Sequence, residues 1–318
     1  MTTSAQHKIG TGFGATSTAA EVLAGVDLSG KLALVTGGYS GIGIETTRGL
    51  VNAGARVIVP ARRVDTARGA LSGIENVEID ELDLGDLGSV RAFADRFLAT
   101  GRELDLVINN AGVMACPETR IGDGWEAQFA TNHLGHFALV NRLWPAVADG
   151  ARVVALSSRG HFFSPVRWDD LQFERGYDKW QAYGQAKTAN VLFAVQLNKL
   201  AERARAFAVH PGGIWTPLQR HLSQEEMIQR GWIDENGTQL VTFKTPEQGA
   251  ATTLFAATSP QLTGGGVYLE DCDIAEAIAA DADPATTWSG VKAYATDPAQ
   301  AERLWSLSAE LTGVNAFA

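Results

Sequence analysis

Residues 32–43 read LALVTGGYSGIG, an apolar run that enters a glycine-rich turn and then a segment with helical spacing that extends to about Ala53. Glycine suits a turn with positive φ, and it lets the backbone lie against a phosphate with no side chain between them. The helix that follows would point unpaired N–H groups and its positive dipole end at that anion. The spacing Gly-x-x-x-Gly-x-Gly predicts a strand, a phosphate-binding turn and a helix, with a tight ligand-free turn as the alternative. The predicted phosphate-binding residues are Gly37, Tyr39, Ser40, Gly41, Ile42 and Gly43.

Similar apolar runs recur along the chain, and each is separated from the next by a segment with helical spacing. They are almost entirely apolar, as expected of strands buried on both faces of a parallel sheet. We therefore predict an α/β fold with a doubly wound parallel sheet of Rossmann type. The predicted strands are Leu32–Thr36, Arg56–Val59, Val77–Ile79, Leu104–Asn109, Arg152–Ser157 and Ala206–His210, with a further strand at Gly266–Leu269.

The two ends of the chain are predicted to extend this core. Residues 1–27 are expected to form an N-terminal arm and a short helix, because Thr18 and Glu21 have capping-box spacing. Residues 28–318 are expected to form a single nucleotide-binding domain with a C-terminal extension. In that extension, Thr245-Pro246 opens a predicted helix over residues 244–257, and Pro298–Leu311 is the predicted closing helix.

The composition argues against several classes of protein. The 318-residue chain carries a formal net charge of −10, so it lacks the basic surface that binds nucleic acid or an anionic membrane. Its two cysteines, Cys116 and Cys272, form no CxxC pair, which argues against a disulfide framework, and no metal site is predicted. Neither a secretory signal nor an apolar run of membrane-spanning length is apparent. We expect a soluble, cytoplasmic protein.

The end of the second predicted strand bears on the choice between NAD(H) and NADP(H). NAD-selective sites place an acidic residue here, which accepts a hydrogen bond from the ribose 2′-hydroxyl. This sequence has Arg62 and Arg63, and no acid before Asp65. Guanidinium groups bind a 2′-phosphate, which a carboxylate would repel. We therefore predict NADP(H) as the cofactor, with Arg62 as its main phosphate ligand; the alternative is that both arginines only solvate the surface.

Tyr183 and Lys187 are four residues apart in a segment with helical spacing that runs to about Leu200. Residues at this spacing share a helix face, so the hydroxyl and the ammonium can converge on one ligand. A free phenol has a pKa of about 10. A cation about 4 Å away, at an effective dielectric constant of about 20, contributes on the order of 4 kcal/mol, or roughly three pKa units. We therefore expect Lys187 to lower the pKa of Tyr183, so that the phenol exchanges a proton with a substrate.

Further polar side chains follow predicted strands at the carboxyl edge of the sheet, where such folds bind ligands. Ser158 follows the fifth strand, and we expect its hydroxyl to hold a substrate oxygen. Asn132 is expected to anchor a water or a backbone carbonyl in a proton relay. Asn110, Ala111 and Gly112 follow the fourth strand and are expected beside the adenosine half of the cofactor.

Together these motifs resemble the short-chain dehydrogenase/reductase family over about residues 28–270. The resemblance rests on Thr36-Gly-x-x-x-Gly-x-Gly43, Asn109-Asn-Ala-Gly112, Asn132, Ser158, Tyr183-x-x-x-Lys187 and Pro211-Gly212. Three phrases resemble its branch of retinol-dehydrogenase-like and WW-domain-oxidoreductase-like proteins: Asn132-His-Leu-Gly-His-Phe137, His210-Pro-Gly212 and Gln248-Gly-Ala-Ala-Thr252. The resemblance implies a catalytic tetrad of Asn132, Ser158, Tyr183 and Lys187. It also implies cofactor contacts from Asp83 and Leu84 at the adenine, from Asn110 near the ribose, and from Pro211, Ile214 and Thr216 near the nicotinamide.

The same resemblance implies hydride transfer between nicotinamide and a carbonyl or alcohol, and it places a substrate loop at about residues 213–244. That loop is rich in large apolar side chains, and residues 161–163 are expected to close the opposite side. We therefore expect an apolar ketone, aldehyde or secondary alcohol as the substrate, unless these side chains only pack the extension. The expected lining residues are Trp215, Leu218, Leu222, Met227, Trp232 and Ile233.

The sequence departs from the family pattern in two respects. Ser158 and Tyr183 are 25 residues apart, which is long for the family, so residues 161–177 are expected to loop out. This leaves the usual subunit packing in doubt, with a homodimer or homotetramer open. The chain also lacks the anchoring segment of membrane-bound members, so membrane retinoid metabolism is not implied. The alternative functions are a catalytically silent nucleotide-binding scaffold or sensor, and an epimerase or dehydratase on the same fold.

Overall fold

The structure is a computed structural model that describes residues 6–283 and 286–318; the first five residues of the predicted arm lie outside this range. In chain order the strands are β1 Leu32–Val35, β2 Arg56–Ala61, β3 Val77–Glu81, β4 Leu104–Asn109, β5 Arg120–Ile121, β6 Trp125–Glu126, β7 Val147–Leu156, β8 Arg205–His210, β9 Val267–Glu270, β10 Asp273–Ile274, β11 Ala277–Ile278 and β12 Val291–Lys292. The α-helices are α1 Ala19–Val22, α2 Ile42–Asn52, α3 Val64–Ala70, α4 Leu87–Leu98, α5 Ala127–Phe129, α6 Gly135–Leu143, α7 Lys179–Leu200, α8 Gln224–Gln229, α9 Pro246–Thr258 and α10 Pro298–Thr312.

The main sheet has the strand order β10-β9-β8-β7-β4-β1-β2-β3. Its neighbouring strands run parallel except for β10, which pairs antiparallel with β9. From β1 the chain moves first towards β3 and later towards β9, so the strand order reverses beside β1. Such a reversal opens a crevice at the carboxyl ends of the strands, which is where the glycine-rich turn lies. The predicted doubly wound parallel sheet is confirmed.

Helices cover both faces of this sheet. The side chains of α4, α6 and α7 pack on one face around Phe93, Phe137 and Leu197, which are almost fully buried. On the other face, α2 and α9 pack through Leu50 and Leu254. Fully burying each of these side chains contributes about 1.5–3 kcal/mol, so the two layers hold the strand ends, and any site built on them, in place.

Several element boundaries differ from those predicted. The predicted strand Arg152–Ser157 is the second half of β7, which already begins at Val147, where it pairs with Leu104 before a register shift. The glycine in this first half, Gly150, has a φ of 79°, a turn-like feature that hid the strand in the sequence. Helix α9 begins at Pro246 because the Thr245 side chain caps it.

The described part of the N-terminal arm lies along the β9–β10 end of the sheet. The side-chain amide of Gln6 donates to the carbonyls of Tyr268 and Ala275 and accepts from the N–H of Tyr268. The carboxylate of Asp273 accepts from the backbone of Ile9 and Gly10. The predicted capping box at Thr18 is present and opens α1.

Candidate active site

The glycine-rich turn is packed too tightly for side chains. A Cβ on Gly43 would lie 2.3 Å from the carbonyl oxygen of Gly37 and 2.6 Å from Nδ2 of Asn110. Gly37 and Gly41 have φ values of 63° and 55°, in the left-handed region that favours glycine. The turn leads directly into α2, whose N-cap Gly41 supplies no side-chain acceptor to the first N–H groups of the helix, the groups that bind anions at helix N-termini.

The ends of β1 and β4 are tied together beside this turn. The hydroxyl of Thr36 accepts from the N–H groups of Asn110 (2.9 Å) and Ala111 (3.0 Å). The Asn110 side chain in turn donates to the carbonyl of Thr36 (2.8 Å). Its Oδ1 is buried and has no hydrogen-bond partner among the described residues. A buried free acceptor next to a glycine cradle fits a ligand that brings hydroxyl donors, such as the ribose of a nucleotide.

The other predicted cofactor residues line the same edge. Arg62 is exposed just beyond β2, and the described residues offer it no ion pair. Asp83 follows β3 and accepts from the N–H of Gly85, while Leu84 beside it is buried.

The loop after β8 returns to the glycine turn. A Cβ on Gly41 would lie 3.3 Å from Cβ of Thr216, so Thr216 lies against the turn. Ile214 is buried and forms an isolated bridge with Lys244, which closes the predicted substrate loop at its base. Thr216 thus lies beside the glycine turn and Ile214 at the base of the loop, while contacts of these two residues and of Pro211 with the nicotinamide stay predictions.

Asn132 lies in a π-helical turn, Ala130–Leu134, between α5 and α6. Such turns are rare and occur often at functional sites. Its fully buried side chain accepts from the N–H of Val113 (2.8 Å) and donates to the carbonyl of the same residue (2.9 Å). Asn132 therefore holds the segment that follows Gly112.

Ser158 and Tyr183 meet at the carboxyl end of β7. The side chain of Ser158 accepts from the N–H of Gly160 (2.9 Å), and it lies close enough to Tyr183 to favour the charged form of the phenol and so to lower its pKa. Gly160 lies against the phenol ring, where a Cβ would be 2.6 Å from Cε1 of Tyr183. The 25-residue spacing between the serine and the tyrosine is therefore compatible with direct contact.

Lys187 lies one turn further along α7 than Tyr183. Its Nζ donates to the carbonyl of Leu156 (2.9 Å) and is 5.5 Å from the centroid of the Tyr183 ring. A Cβ on Gly112 would be 3.7 Å from this Nζ, so the ammonium faces the crevice between β4 and β7. The four tetrad residues thus converge on one region next to the glycine turn.

The expected lowering of the Tyr183 pKa by Lys187 is wrong for the protein without ligands. Burial raises the pKa of Tyr183 to about 12, and the hydrogen bond with Ser158 offsets only part of this effect. Burial also lowers the pKa of Lys187 to about 8. Desolvation disfavours the charged form of both groups, and it is the largest effect on both pKa values.

The substrate loop forms an apolar wall over Tyr183. Leu222 packs with Tyr183, Met114 and Ala115 in a buried cluster, which is covered by Trp180, Leu218, Met227 and Trp232. The guanidinium of Arg230 lies 3.5 Å from the centroid of the Trp180 ring and covers the cluster from the loop side.

Parts of the predicted substrate lining lie elsewhere. Trp215 is 42% exposed, and Ile233 is buried outside this cluster. His161 and Phe162 are also buried, and they face the C-terminal segment around Lys292 instead of the loop. Only Phe163 of that triplet reaches the wall, where its ring packs against Trp180 at 5.9 Å between centroids.

Three histidines make hydrogen bonds at this site that the sequence did not predict. His136 bonds to Thr36 and Asn132, His161 bonds to the carbonyl of Ser158, and His210 accepts from the N–H of Arg159. The Asn132–His136 spacing, one helical turn, is the only local signal that pointed to such a contact.

The described residues also bear on metal binding and on membrane insertion. They contain no group of three or more His, Cys, Asp or Glu side chains arranged to hold a metal ion. Among the helices of residues 6–283 and 286–318, none combines the length and apolar character needed to cross a membrane.

Comparison with known proteins identifies the family. The family model described as short chain dehydrogenase matches residues 31–227. A probable oxidoreductase of Streptomyces lividans is 43% identical over 299 residues, which cover 90% of this chain and 98% of the relative. Retinol dehydrogenase 12 of Mus musculus is 38% identical over 300 residues, covering 91% and 88%.

Solved structures agree with this assignment. The structure of an uncharacterized protein from Mycobacterium paratuberculosis matches with a TM-score of 0.72 and 33% identity, covering 95% of this chain and 99% of the other. The RhlG/NADP complex of Pseudomonas aeruginosa matches with a TM-score of 0.60 and 25% identity, covering 77% and 95%. The chain therefore belongs to the short-chain dehydrogenase/reductase family, in its retinol-dehydrogenase-like branch, and is an oxidoreductase of the kind that acts on CH–OH or C=O groups.

Proposed function

We propose that this protein is an NADP(H)-dependent oxidoreductase that transfers a hydride between nicotinamide and an apolar ketone, aldehyde or secondary alcohol. The observation that carries the proposal is the convergence of Ser158, Tyr183 and Lys187 at the carboxyl edge of the sheet, where Ser158 and the phenol ring both lie against Gly160 and the Lys187 ammonium is 5.5 Å from the centroid of that ring.

Each tetrad residue has a role that follows from its contacts. With its raised pKa, Tyr183 is protonated at neutral pH and is suited to donate a proton to a carbonyl oxygen during reduction. Ser158 orients that oxygen through its hydroxyl, which lies beside Tyr183 at Gly160. Lys187 brings a cation to the crevice, and Asn132 holds the backbone at Val113 that borders it.

NADP(H), when bound, supplies or accepts the hydride. We infer that the N–H groups of the glycine turn hold its pyrophosphate, that Asn110 Oδ1 accepts from a ribose hydroxyl, and that Arg62 binds the 2′-phosphate. The exposed guanidinium of Arg62 has no ion-pair partner in the described chain, which leaves its donors available. The P. aeruginosa relative, whose structure is titled as an NADP complex, supports this choice of cofactor.

The apolar wall supports the proposed class of substrate. Leu222, Met114 and Trp180 pack around Tyr183, and the cationic Arg230 lies over the Trp180 ring on the loop side. A bulky apolar carbonyl compound would replace the water at these apolar surfaces, whereas a small polar one would leave them in contact with water.

The test is a panel of apolar ketones, aldehydes and secondary alcohols, assayed with NADPH or NADH at equal concentration. We expect turnover with NADPH to exceed that with NADH, and Arg62→Ala to reduce this preference about tenfold or more. Tyr183→Phe should abolish turnover and leave NADPH binding, followed by fluorescence, within about twofold.

Each part of the proposal can fail separately. Turnover by Tyr183→Phe at the wild-type rate would reject the role of the phenol. A preference for NADH would reject the role of Arg62. NADPH binding without oxidation of any cofactor across the panel would favour a nucleotide-binding scaffold, and product formation without net cofactor consumption would favour an epimerase or dehydratase.

A further inference from the structure

Two fully buried histidines, His136 and His161, make the same pattern of contacts at different points of the site. Each ring bonds through Nδ1 to the backbone carbonyl of a tetrad residue and through Nε2 to a separate element of the fold. The tetrad residues themselves are Asn132 and Ser158.

The tautomer of His136 follows from its partners. Nδ1 lies 3.0 Å from the carbonyl oxygen of Asn132, which only accepts, so Nδ1 carries the proton. Nε2 of the neutral ring is then an acceptor, and it lies 2.8 Å from the hydroxyl of Thr36. That hydroxyl accepts from the N–H groups of Asn110 and Ala111, and the nearer acceptor for its own proton is His136, since the carbonyl of Ile108 lies 3.4 Å away.

The tautomer of His161 follows in the same way. Its Nε2 accepts from the backbone N–H of Lys292 (3.2 Å), so the proton of the neutral ring is on Nδ1. Nδ1 donates to the carbonyl of Ser158 at 2.7 Å. The carbonyl of His161 accepts from the hydroxyl of Tyr294 (2.6 Å), which ties the same turn to the C-terminal segment a second time.

Both rings are held neutral, as these contacts require. Burial lowers the pKa of His136 to about 4 and that of His161 to about 3. A doubly protonated ring would turn Nε2 from an acceptor into a donor facing Thr36 or the N–H of Lys292, and the link would be lost.

We propose that His136 and His161 are positioning residues that hold the backbone of Asn132 and Ser158 at the distance the reaction needs. His136 couples the relay asparagine to the end of β1 and thus to the cofactor turn. His161 couples the substrate-orienting serine to β12, which lies beyond the segment matched by the family model. This inference rests on the proposed function, because the tetrad roles are assigned there.

The kinetic test uses substitutions that keep or remove the Nδ1 donor. The amide nitrogen of asparagine can occupy the place of Nδ1, whereas the amide of glutamine reaches only the place of Nε2, and leucine offers no polar atom. We expect His161→Asn to retain kcat within about threefold, and His161→Gln and His161→Leu to lower it by about tenfold or more, with KM for NADPH within about twofold. We expect the same order for His136, with KM for NADPH also raised because Thr36 lies beside the cofactor turn.

His133 provides the matched control. It is equally buried, lies one turn from His136, and bonds to the hydroxyl of Ser308 instead of a tetrad backbone. His133→Asn and His133→Leu should lower the melting temperature as the other variants do, while kcat stays within about twofold of the wild type. Equal kcat for the asparagine, glutamine and leucine variants of His161, or an equal loss in the His133 variants, would overturn the proposal.

A second measurement does not depend on turnover. Nitrogen-15 NMR of histidine-labelled protein at neutral pH, assigned with the single substitutions, reports which ring nitrogen is protonated. We expect Nδ1–H at both His136 and His161; Nε2–H at either position would reject the positioning contact there. If the wild-type protein shows this tautomer but no turnover on the panel, the proposed function fails while the contacts stand.

Discussion

Gly43 is required by close contact and not by an unusual backbone conformation. Its Cα faces the carbonyl of Gly37 and the side chain of Asn110, so any side chain would push the turn away from the end of β4. The same two contacts hold the turn at the head of α2, where the cofactor phosphates are proposed to bind. A methyl group at this position therefore tests whether the glycine turn binds the phosphates.

We predict that Gly43→Ala weakens NADPH binding by about tenfold or more, because its Cβ would overlap an oxygen 2.3 Å away. Fluorescence titration measures the affinity, and circular dichroism checks the fold. Gly69→Ala is the control, because Gly69 lies in α3 and no atom would be within 4 Å of a Cβ there. This variant should bind NADPH with wild-type affinity and have a slightly higher free energy of unfolding. Wild-type affinity in Gly43→Ala would show that the glycine turn does not bind the cofactor phosphates.

Lys187 is a buried cation, and its desolvation should lower the free energy of unfolding at neutral pH. Its pKa in the folded protein is about 8, below the ordinary value of 10.5, so above pH 8 the unfolded chain binds more protons than the native one. The native state is thus destabilised by the buried charge below about pH 8, where both states carry the proton. This destabilisation is relieved as the pH rises from about 8 to about 10.5.

We predict that raising the pH from about 7 to 10 increases the unfolding free energy of the cofactor-free wild type, relative to Lys187→Met, by on the order of 2 kcal/mol. The carbonyl of Leu156 keeps the Asn190 side chain as a donor in the variant, so the comparison isolates the charge. Urea unfolding at both pH values measures the difference. Parallel pH dependence in the two proteins would contradict a buried, desolvated ammonium.

The long helix α7 sets the relative positions of three side chains of the site. It begins at the Asp178 cap, which accepts from the N–H groups of Trp180 and Gln181, and it runs for 22 residues across the sheet. Tyr183 and Lys187 then project from one face towards the end of β7. Trp180, one turn earlier, projects towards the substrate loop, so a single helix sets the distance between the proton donor and the apolar wall.

We predict that Trp180→Ala raises KM for bulky apolar substrates by about tenfold or more, since a bulky substrate would cover this half-buried ring and full burial of an aromatic side chain contributes about 1.5–3 kcal/mol. The affinity for NADPH should not change, because Trp180 lies on the substrate side. Trp168→Ala is the matched control: this tryptophan also lies under an arginine, Arg303 at 4.1 Å, but in the loop before α7. Equal KM effects in the two variants would show that the wall does not select the substrate.

At the scale of the whole molecule, the two ends of the chain complete the sheet and its helical layer. Gln6 bridges β9 and the residue that follows β10, and thus acts like a short extra strand. At the other end, α10 packs Trp305 against Phe137 on α6, which follows the turn of Asn132, and against Phe193 on α7, which carries Tyr183. The tetrad is therefore supported by segments far from it in sequence.

We predict that Gln6→Ala lowers the free energy of unfolding by about 1–3 kcal/mol, because one amide makes three hydrogen bonds to the sheet. Urea denaturation measures this loss, and NADPH affinity should be unchanged since Gln6 is remote from the crevice. Gln229→Ala, which removes an exposed contact with Glu225, should change stability by less than about 0.5 kcal/mol. No loss in Gln6→Ala would mean that the arm does not stabilise the sheet.

What the sequence determined by itself was local in origin. Apolar runs of strand length predicted the parallel sheet, and the spacing of glycines after β1 and of Tyr183 and Lys187 on α7 predicted which side chains share a turn or a helix face. Because strands of a parallel sheet end at one edge, Ser158 and Asn110 also followed from position alone.

The tertiary structure decided whatever depends on burial and on contacts between distant segments. It raised the pKa of Tyr183 where the pairing with Lys187 alone predicted a decrease, because desolvation is a property of the packed site. It turned His161 away from the substrate and towards Ser158 and Lys292, and it paired β10 with β9 under the N-terminal arm. The contact of His161 with Lys292 joins residues 131 positions apart, and the contact of Gln6 with Tyr268 joins residues 262 positions apart. No periodicity along the chain encodes such contacts.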